Sequence, residues 1–126
     1  MQSAVPTSFR TLLPALLAVA LLAGCQPTKP RPSDTAGIGT QAETLEAQGD
    51  YAGAATAWQE LAAASTGNAR SEALLRAARA LQRDGRAAEA RRVLGQIGLA
   101  PAGRAGIDYA LLSASLAVEL GDHSAA

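Results

Sequence analysis

The sequence of 126 residues contains few aromatic residues, one cysteine and one histidine. Phe, Trp and Tyr make up only 3% of the chain, and β-branched residues are sparse beside the many Ala, Leu, Arg, Glu and Gln. Strands favour β-branched and aromatic side chains, whereas helices favour the residues that are abundant here. The composition therefore predicts an all-α fold, and the length allows one small domain at most.

The scarcity of Cys and His also argues against several kinds of site. A single cysteine excludes an intramolecular disulfide, and one histidine, His123, is too few for a zinc site. No Gly-rich phosphate loop follows a strand, and the carboxylates are spread along the helices rather than paired. We therefore expect no catalytic residues, no metal and no cofactor, and we interpret His123 as a solvated turn residue.

The lone cysteine follows an apolar segment near the N-terminus. Residues 11–23 are rich in Leu and Ala. They have the length of a signal-peptide apolar region and fall short of the roughly 20 residues that a membrane span needs. The segment ends in Leu22-Ala23-Gly24-Cys25, which resembles the lipobox of bacterial lipoproteins. We predict a signal peptide over residues 1–24, cleavage between Gly24 and Cys25, and acylation of the Cys25 thiol. The alternative is a buried cysteine at a helix end.

Residues 25–40 have the composition of a tether. Pro27, Pro30 and Pro32 interrupt a stretch with almost no large apolar side chain, and such a stretch cannot bury enough surface to fold. We predict a semi-extended connection between the lipid anchor and a domain that begins at residue 41. The segment resembles that of enterobacterial lipoproteins, in which an Asp directly after the cysteine favours retention in the inner membrane. Gln26 at this position implies sorting to the periplasmic face of the outer membrane.

From residue 41 the apolar periodicity is helical, and the pattern repeats. Gly49, Gly85 and Gly121 are spaced by 36 residues, each at a point where a helix should stop and turn with φ > 0. We predict helical hairpins over residues 41–126, with turns between hairpins at residues 65–68 and 98–103. The predicted core positions of the second unit are Leu74, Leu75, Ala78, Leu81, Ala90, Val93, Leu94 and Ile97.

The repeat resembles the tetratricopeptide repeat, in which small, apolar and turn positions recur in this order. The first unit fills those positions with Ala42, Leu45, Gly49, Tyr51, Ala54 and Trp58, and the second with Ala78, Leu81, Gly85, Ala90 and Leu94. The period exceeds the usual one of about 34 residues, and Ala87 and His123 replace the turn tyrosine, so the predicted fold is TPR-like.

The third unit stops where its second helix should begin. Its apolar residues should therefore be exposed: Leu111, Leu112, Leu116, Val118 and Leu120. We expect either that this chain is a fragment of a longer protein, the interpretation we favour, or that another chain covers them.

The second unit is rich in arginine, with seven Arg against three acidic residues. Arg76, Arg79 and Arg83 recur at i, i+3 and i+7, which places them on one helical face. This stripe is either a solvated polar face or a binding site for an anionic protein partner or envelope polymer. Nucleic acid is not expected, because the chain is predicted to be exported and the stripe has no interleaved aromatic residues.

The combination of lipobox, tether and TPR-like region resembles the penicillin-binding protein activators of the lipoprotein A type from γ-proteobacteria. The resemblance lies in residues 74–81, in Asp84-Gly85-Arg86, in residues 94–97 and in residues 111–120. It implies an outer-membrane lipoprotein without catalytic activity that reaches through the periplasm and stimulates a bifunctional peptidoglycan synthase, a class A penicillin-binding protein, by direct contact. Family members continue into a domain shaped like a periplasmic binding protein.

Two alternatives remain open. One is a general TPR scaffold lipoprotein in envelope assembly or secretion, and the other is the helical module of a lytic cell-wall enzyme. The sequence beyond residue 126 would separate them.

Overall fold

The computed structural model describes residues 32–121, with side chains from Asp34 onward. Five helices occupy this range, and it contains no strand, so the predicted all-α fold is confirmed. The helices are α1 (Pro32–Ala47), α2 (Tyr51–Ala63), α3 (Gly67–Arg83), α4 (Ala87–Leu94) and α5 (Gly103–Glu119). Each helix packs against the next along the chain, and α3 also contacts α5. The helix α3 is therefore the centre of the stack.

The first helix begins earlier than the sequence predicts. Pro32 starts α1, so the prediction of a tether up to residue 40 is wrong from this residue onward. Proline is tolerated in the first turn, where its missing N–H has no helical acceptor, and Asp34 lies in the same turn, where the helix dipole favours a negative charge. The segment has few large apolar side chains, but Ile38 still packs against the core. The rest of the predicted tether, the signal peptide, Gly24 and Cys25 lie outside the described residues.

The three glycines spaced by 36 residues have nearly the same backbone conformation. Their φ angles are 78° at Gly49, 77° at Gly85 and 72° at Gly121, so the predicted positive φ is confirmed at each. After α1 and α3 the turn has the same hydrogen bonds: Asp50 N–H donates to Leu45 C=O and Arg86 N–H to Leu81 C=O, both at 2.9 Å. These are the bonds of the Schellman motif, which satisfies carbonyls at the end of a helix.

A second pair of turns recurs with the same spacing. Gly67 and Gly103 are the first residues of α3 and α5, and their φ angles are 58° and 65°. Both lie in the predicted turns between hairpins, but their shared spacing was not among the predicted markers of the repeat. The last residues of α1, α3 and α5 are also spaced by 36 residues; they are Ala47, Arg83 and Glu119.

The core lies along α3 and between the helices of each hairpin. All eight positions predicted for the second unit are buried. Alanines at the helix crossings, including Ala42, Ala54, Ala78 and Ala90, are completely buried and let helix backbones approach closely. Trp58 is the largest buried side chain and is 4% exposed.

The third unit departs in part from the prediction. Leu111, Val118 and Leu120 are exposed as expected, but Leu112 and Leu116 are only 6% and 1% exposed. The prediction of exposure is wrong for these two because α5 packs one face against α3 and α4. The opposite face of α5, which carries Leu111 and Val118, has no neighbour among the described residues.

Candidate protein-interaction groove

A groove runs along the three longer helices, α1, α3 and α5. Its first part, about 450 Å³, lies between α1 and α3 over residues of α2, and Trp58 and Leu61 line it. Its second part, about 520 Å³, lies between α3 and α5 and extends to Glu46 of α1. Glu72 and Arg76 line both parts. We call this continuous surface the inner groove.

Arg76 lies at the junction of the two parts. Its guanidinium carbon is 4.7 Å from the centroid of the Trp58 ring. The same group forms ion pairs with Glu43 of α1 at 3.2 Å and Glu72 of α3 at 3.7 Å. The indole of Trp58 holds the Arg76 side chain against α2. The carboxylate of Glu43 holds it against α1. Arg76 therefore connects three helices.

The other two predicted arginines also contact neighbouring helices. Arg79 forms an ion pair with Asp108 of α5 at 3.7 Å. The Arg83 guanidinium carbon is 5.6 Å from the ring centroid of Tyr51, the first residue of α2. The structure thus brings Arg76, Arg79 and Arg83 to one groove, where all three are at least partly exposed to solvent and also contact groups of neighbouring helices.

Two further groove residues, Arg104 and Asp108 of α5, were not predicted from the sequence. Asp108 contacts α3 through its ion pair with Arg79, and Gln82 of α3 donates hydrogen bonds to Ser115 at 2.8 Å and Glu119 at 3.2 Å. These contacts show that α3 and α5 run in the same direction. The available signal was the i, i+4 spacing of Arg104 and Asp108, which places them on one helical face. The helix against which that face packs is set by the tertiary structure, so it cannot be predicted from the sequence of α5 alone.

Acidic and basic groups are distributed unevenly along the groove. The α1 side carries Glu43 and Glu46, and the Trp58 Nε1–H donates a 2.9 Å hydrogen bond to Glu46, which holds this carboxylate at the rim. The α3–α5 side carries four arginines beside the carboxylates of Glu72 and Asp108. Two of them, Arg83 and Arg104, have no carboxylate at ion-pair distance within residues 34–121. The groove can therefore present positive charge to an external ligand at these positions.

Among residues 34–121, the two clear pKa shifts lie outside the groove, at Arg86 and Glu89 at the start of α4. Arg86 donates hydrogen bonds to the Glu89 carboxylate, one of them from Nε to Oε1 at 2.8 Å. These bonds raise the pKa of Arg86 and lower the pKa of Glu89 below its ordinary value of 4.5. Because both groups are on the surface, the pair stabilises the start of a short helix and does not mark a reactive centre.

Other chemical sites are not evident in the described part of the chain. Residues 34–121 contain no group of three or more His, Cys, Asp or Glu side chains that could bind a metal ion. None of the helices over residues 32–121 is long and apolar enough to cross a membrane. The predicted cleavage and lipidation sites, Gly24 and Cys25, and the histidine, His123, fall outside this range. The chain matches no protein-family model, no curated protein and no solved structure.

Proposed function

We propose that the chain is a TPR-like docking module of an outer-membrane lipoprotein that activates a bifunctional peptidoglycan synthase. The observation that carries the proposal is the inner groove, which runs along α1, α3 and α5 and presents both charged and apolar side chains. Stacked helical hairpins form extended concave surfaces that hold other proteins. Direct contact of such a surface with a class A penicillin-binding protein would regulate cell-wall synthesis without catalysis by this chain.

The predicted anchor sets where such a module would work. Lipid on Cys25 would hold the chain at the periplasmic face of the outer membrane, and the first helix begins at Pro32. The six residues 26–31 can span at most about 20 Å when extended. The helical domain would therefore begin close to the membrane surface.

Acylation of Cys25 can be tested separately from partner binding. Metabolic labelling with a radioactive fatty acid should mark the wild-type protein and leave Cys25→Ser unlabelled, because the thiol is the group that carries the lipid. Ser33→Ala, a similarly small change outside the lipobox, serves as the matched control and should be labelled normally. Equal labelling of wild type and Cys25→Ser would reject the lipoprotein proposal.

The activator proposal is tested by glycan-strand synthesis. A purified cognate class A penicillin-binding protein should polymerise its lipid-linked substrate faster when the lipoprotein is present. The stimulation should decrease as salt increases, because charged groups in the groove contribute to binding and salt screens them. Unchanged synthesis would reject the activator and favour a general envelope scaffold. Hydrolysis of peptidoglycan by the lipoprotein itself would favour the lytic enzyme.

A further inference from the structure

Within residues 34–121, two arginines of the inner groove have no carboxylate at ion-pair distance. Arg83 lies in the last turn of α3, and Arg104 lies in the first turn of α5. Both side chains belong to exposed residues and line the second part of the groove. Since α3 and α5 run in the same direction, the two arginines lie toward opposite ends of this part. A ligand with two separated negative charges would meet both.

The surface between and beside these cations is not uniformly basic. Glu46, Glu72 and Asp108 line the same part of the groove, and they would repel a polymer that carries negative charge along its whole length. The adjoining part is lined by apolar side chains that are at least partly exposed, namely Ala36, Leu61 and Ala69. A peptide can supply isolated carboxylates together with apolar side chains, whereas an anionic polysaccharide supplies charge without apolar anchors.

From this arrangement we propose that the inner groove binds an extended acidic peptide segment of a partner protein. Two carboxylates of the segment accept charge-assisted hydrogen bonds from Arg83 and Arg104, and apolar side chains pack over Leu61. The proposal rests on the docking function above and specifies the chemistry of the partner. It also moves the recognition role from Arg76 and Arg79, which are held in ion pairs, to Arg83 and Arg104.

The helix geometry gives the spacing of the two carboxylates. The contacts of Arg79 and Gln82 with α5 place Arg104 opposite the first half of α3, so roughly 15 Å of helix axis separates it from Arg83 at 1.5 Å per residue. An extended peptide covers this length in about five residues. Because successive side chains of an extended peptide point to opposite faces, two glutamates four residues apart, about 13 Å, with Leu and Ala around them, make a suitable probe.

The test measures binding of a fluorescent peptide of this design to the purified full chain. A second peptide, with both glutamates replaced by glutamine, serves as the uncharged probe. We expect the acidic peptide to bind at least about tenfold more tightly than the uncharged one. Arg83→Gln and Arg104→Gln should each weaken binding of the acidic peptide by about tenfold and leave the uncharged peptide unaffected. Arg92→Gln, an exposed arginine of α4 outside the groove, is the matched control and should bind like wild type.

Three results would overturn the proposal. One is equal affinity for the two peptides, and another is unchanged binding in Arg83→Gln and Arg104→Gln when circular dichroism shows that both variants are folded. The third is tighter binding of dextran sulfate than of the acidic peptide with the same dependence on Arg83 and Arg104, which would identify an anionic polymer as the ligand. Peptide binding without stimulation of a synthase would support the groove and reject only the activator.

Discussion

Helices α3 and α5 have the same length, 17 residues, yet they are buried to very different extents. Seven apolar residues of α3 are buried, but only Leu112 and Leu116 of α5 are. The difference does not come from apolar content, because Ile107, Leu111 and Val118 of α5 are 62%, 66% and 73% exposed. It comes from the neighbouring helices: within residues 32–121, α3 packs against α2, α4 and α5, while α5 packs on one side only. Position in the stack therefore decides which apolar side chains stabilise this fold.

The largest expected effect compares a leucine from each of these helices. Leu81 of α3 is 1% exposed, so Leu81→Ala should lower the free energy of unfolding by roughly 2–5 kcal/mol. Leu111→Ala, the same change on the open face of α5, should alter it by less than about 0.5 kcal/mol. Urea unfolding followed by circular dichroism measures both. Equal losses would mean that the open face of α5 is covered in solution.

A smaller effect is expected at the turn that connects α3 to α4. Gly85 has a φ of 77°, which β-branched residues resist, so Gly85→Val should destabilise the chain by more than about 1 kcal/mol. Gly98 lies in the loop before α5, has no positive φ, and has open space where a Cβ would be. Gly98→Val is thus the matched control, and thermal unfolding should separate the two variants. Identical melting temperatures would contradict the turn geometry.

The polar face of α3 should also contribute to stability. Arg76→Gln removes the contact with Trp58 and the ion pairs with Glu43 and Glu72. Because the Arg76 side chain is 39% exposed, solvent screens these interactions, and the expected loss is about 1 kcal/mol or less. Arg92→Gln on α4 should cost less. A melting temperature unchanged by Arg76→Gln would mean that these contacts do not stabilise the fold and that Arg76 belongs to a solvated polar face.

The smallest expected effect is a pH dependence at the start of α4. The hydrogen bonds from Arg86 lower the pKa of Glu89, so their contribution to stability is present above the ordinary carboxyl pKa of 4.5 and is lost as the pH falls through the lowered value. NMR titration should place the midpoint of Glu89 below 4.5. In Arg86→Gln the Glu89 midpoint should return toward 4.5, because the hydrogen bonds from Arg86 are lost. A wild-type midpoint at or above 4.5 would contradict the hydrogen bonds between Arg86 and Glu89.

Features set by local pattern were predictable from the sequence, and features set by neighbours were not. The glycine turns and the eight core positions of the second unit follow from spacing along one segment. The start of α1 was missed because a count of large apolar residues overlooks how small residues fit between helices: a Cβ added at Gly39 would lie 3.7 Å from Leu61. The arginines were found by their helical spacing, but their partners Trp58 and Asp108 come from other helices and required the packed structure.

The proposed function requires that the inner groove, and not another face of the stack, contacts a peptidoglycan synthase. Site-specific photo-crosslinking tests it most directly, with p-benzoylphenylalanine placed at Arg79 inside the groove or at Arg92 outside it. In intact cells, the probe at residue 79 should form an adduct with a class A penicillin-binding protein, identified by mass spectrometry, and the probe at residue 92 should not. No synthase adduct from residue 79, or equal adducts from both positions, would contradict the claim.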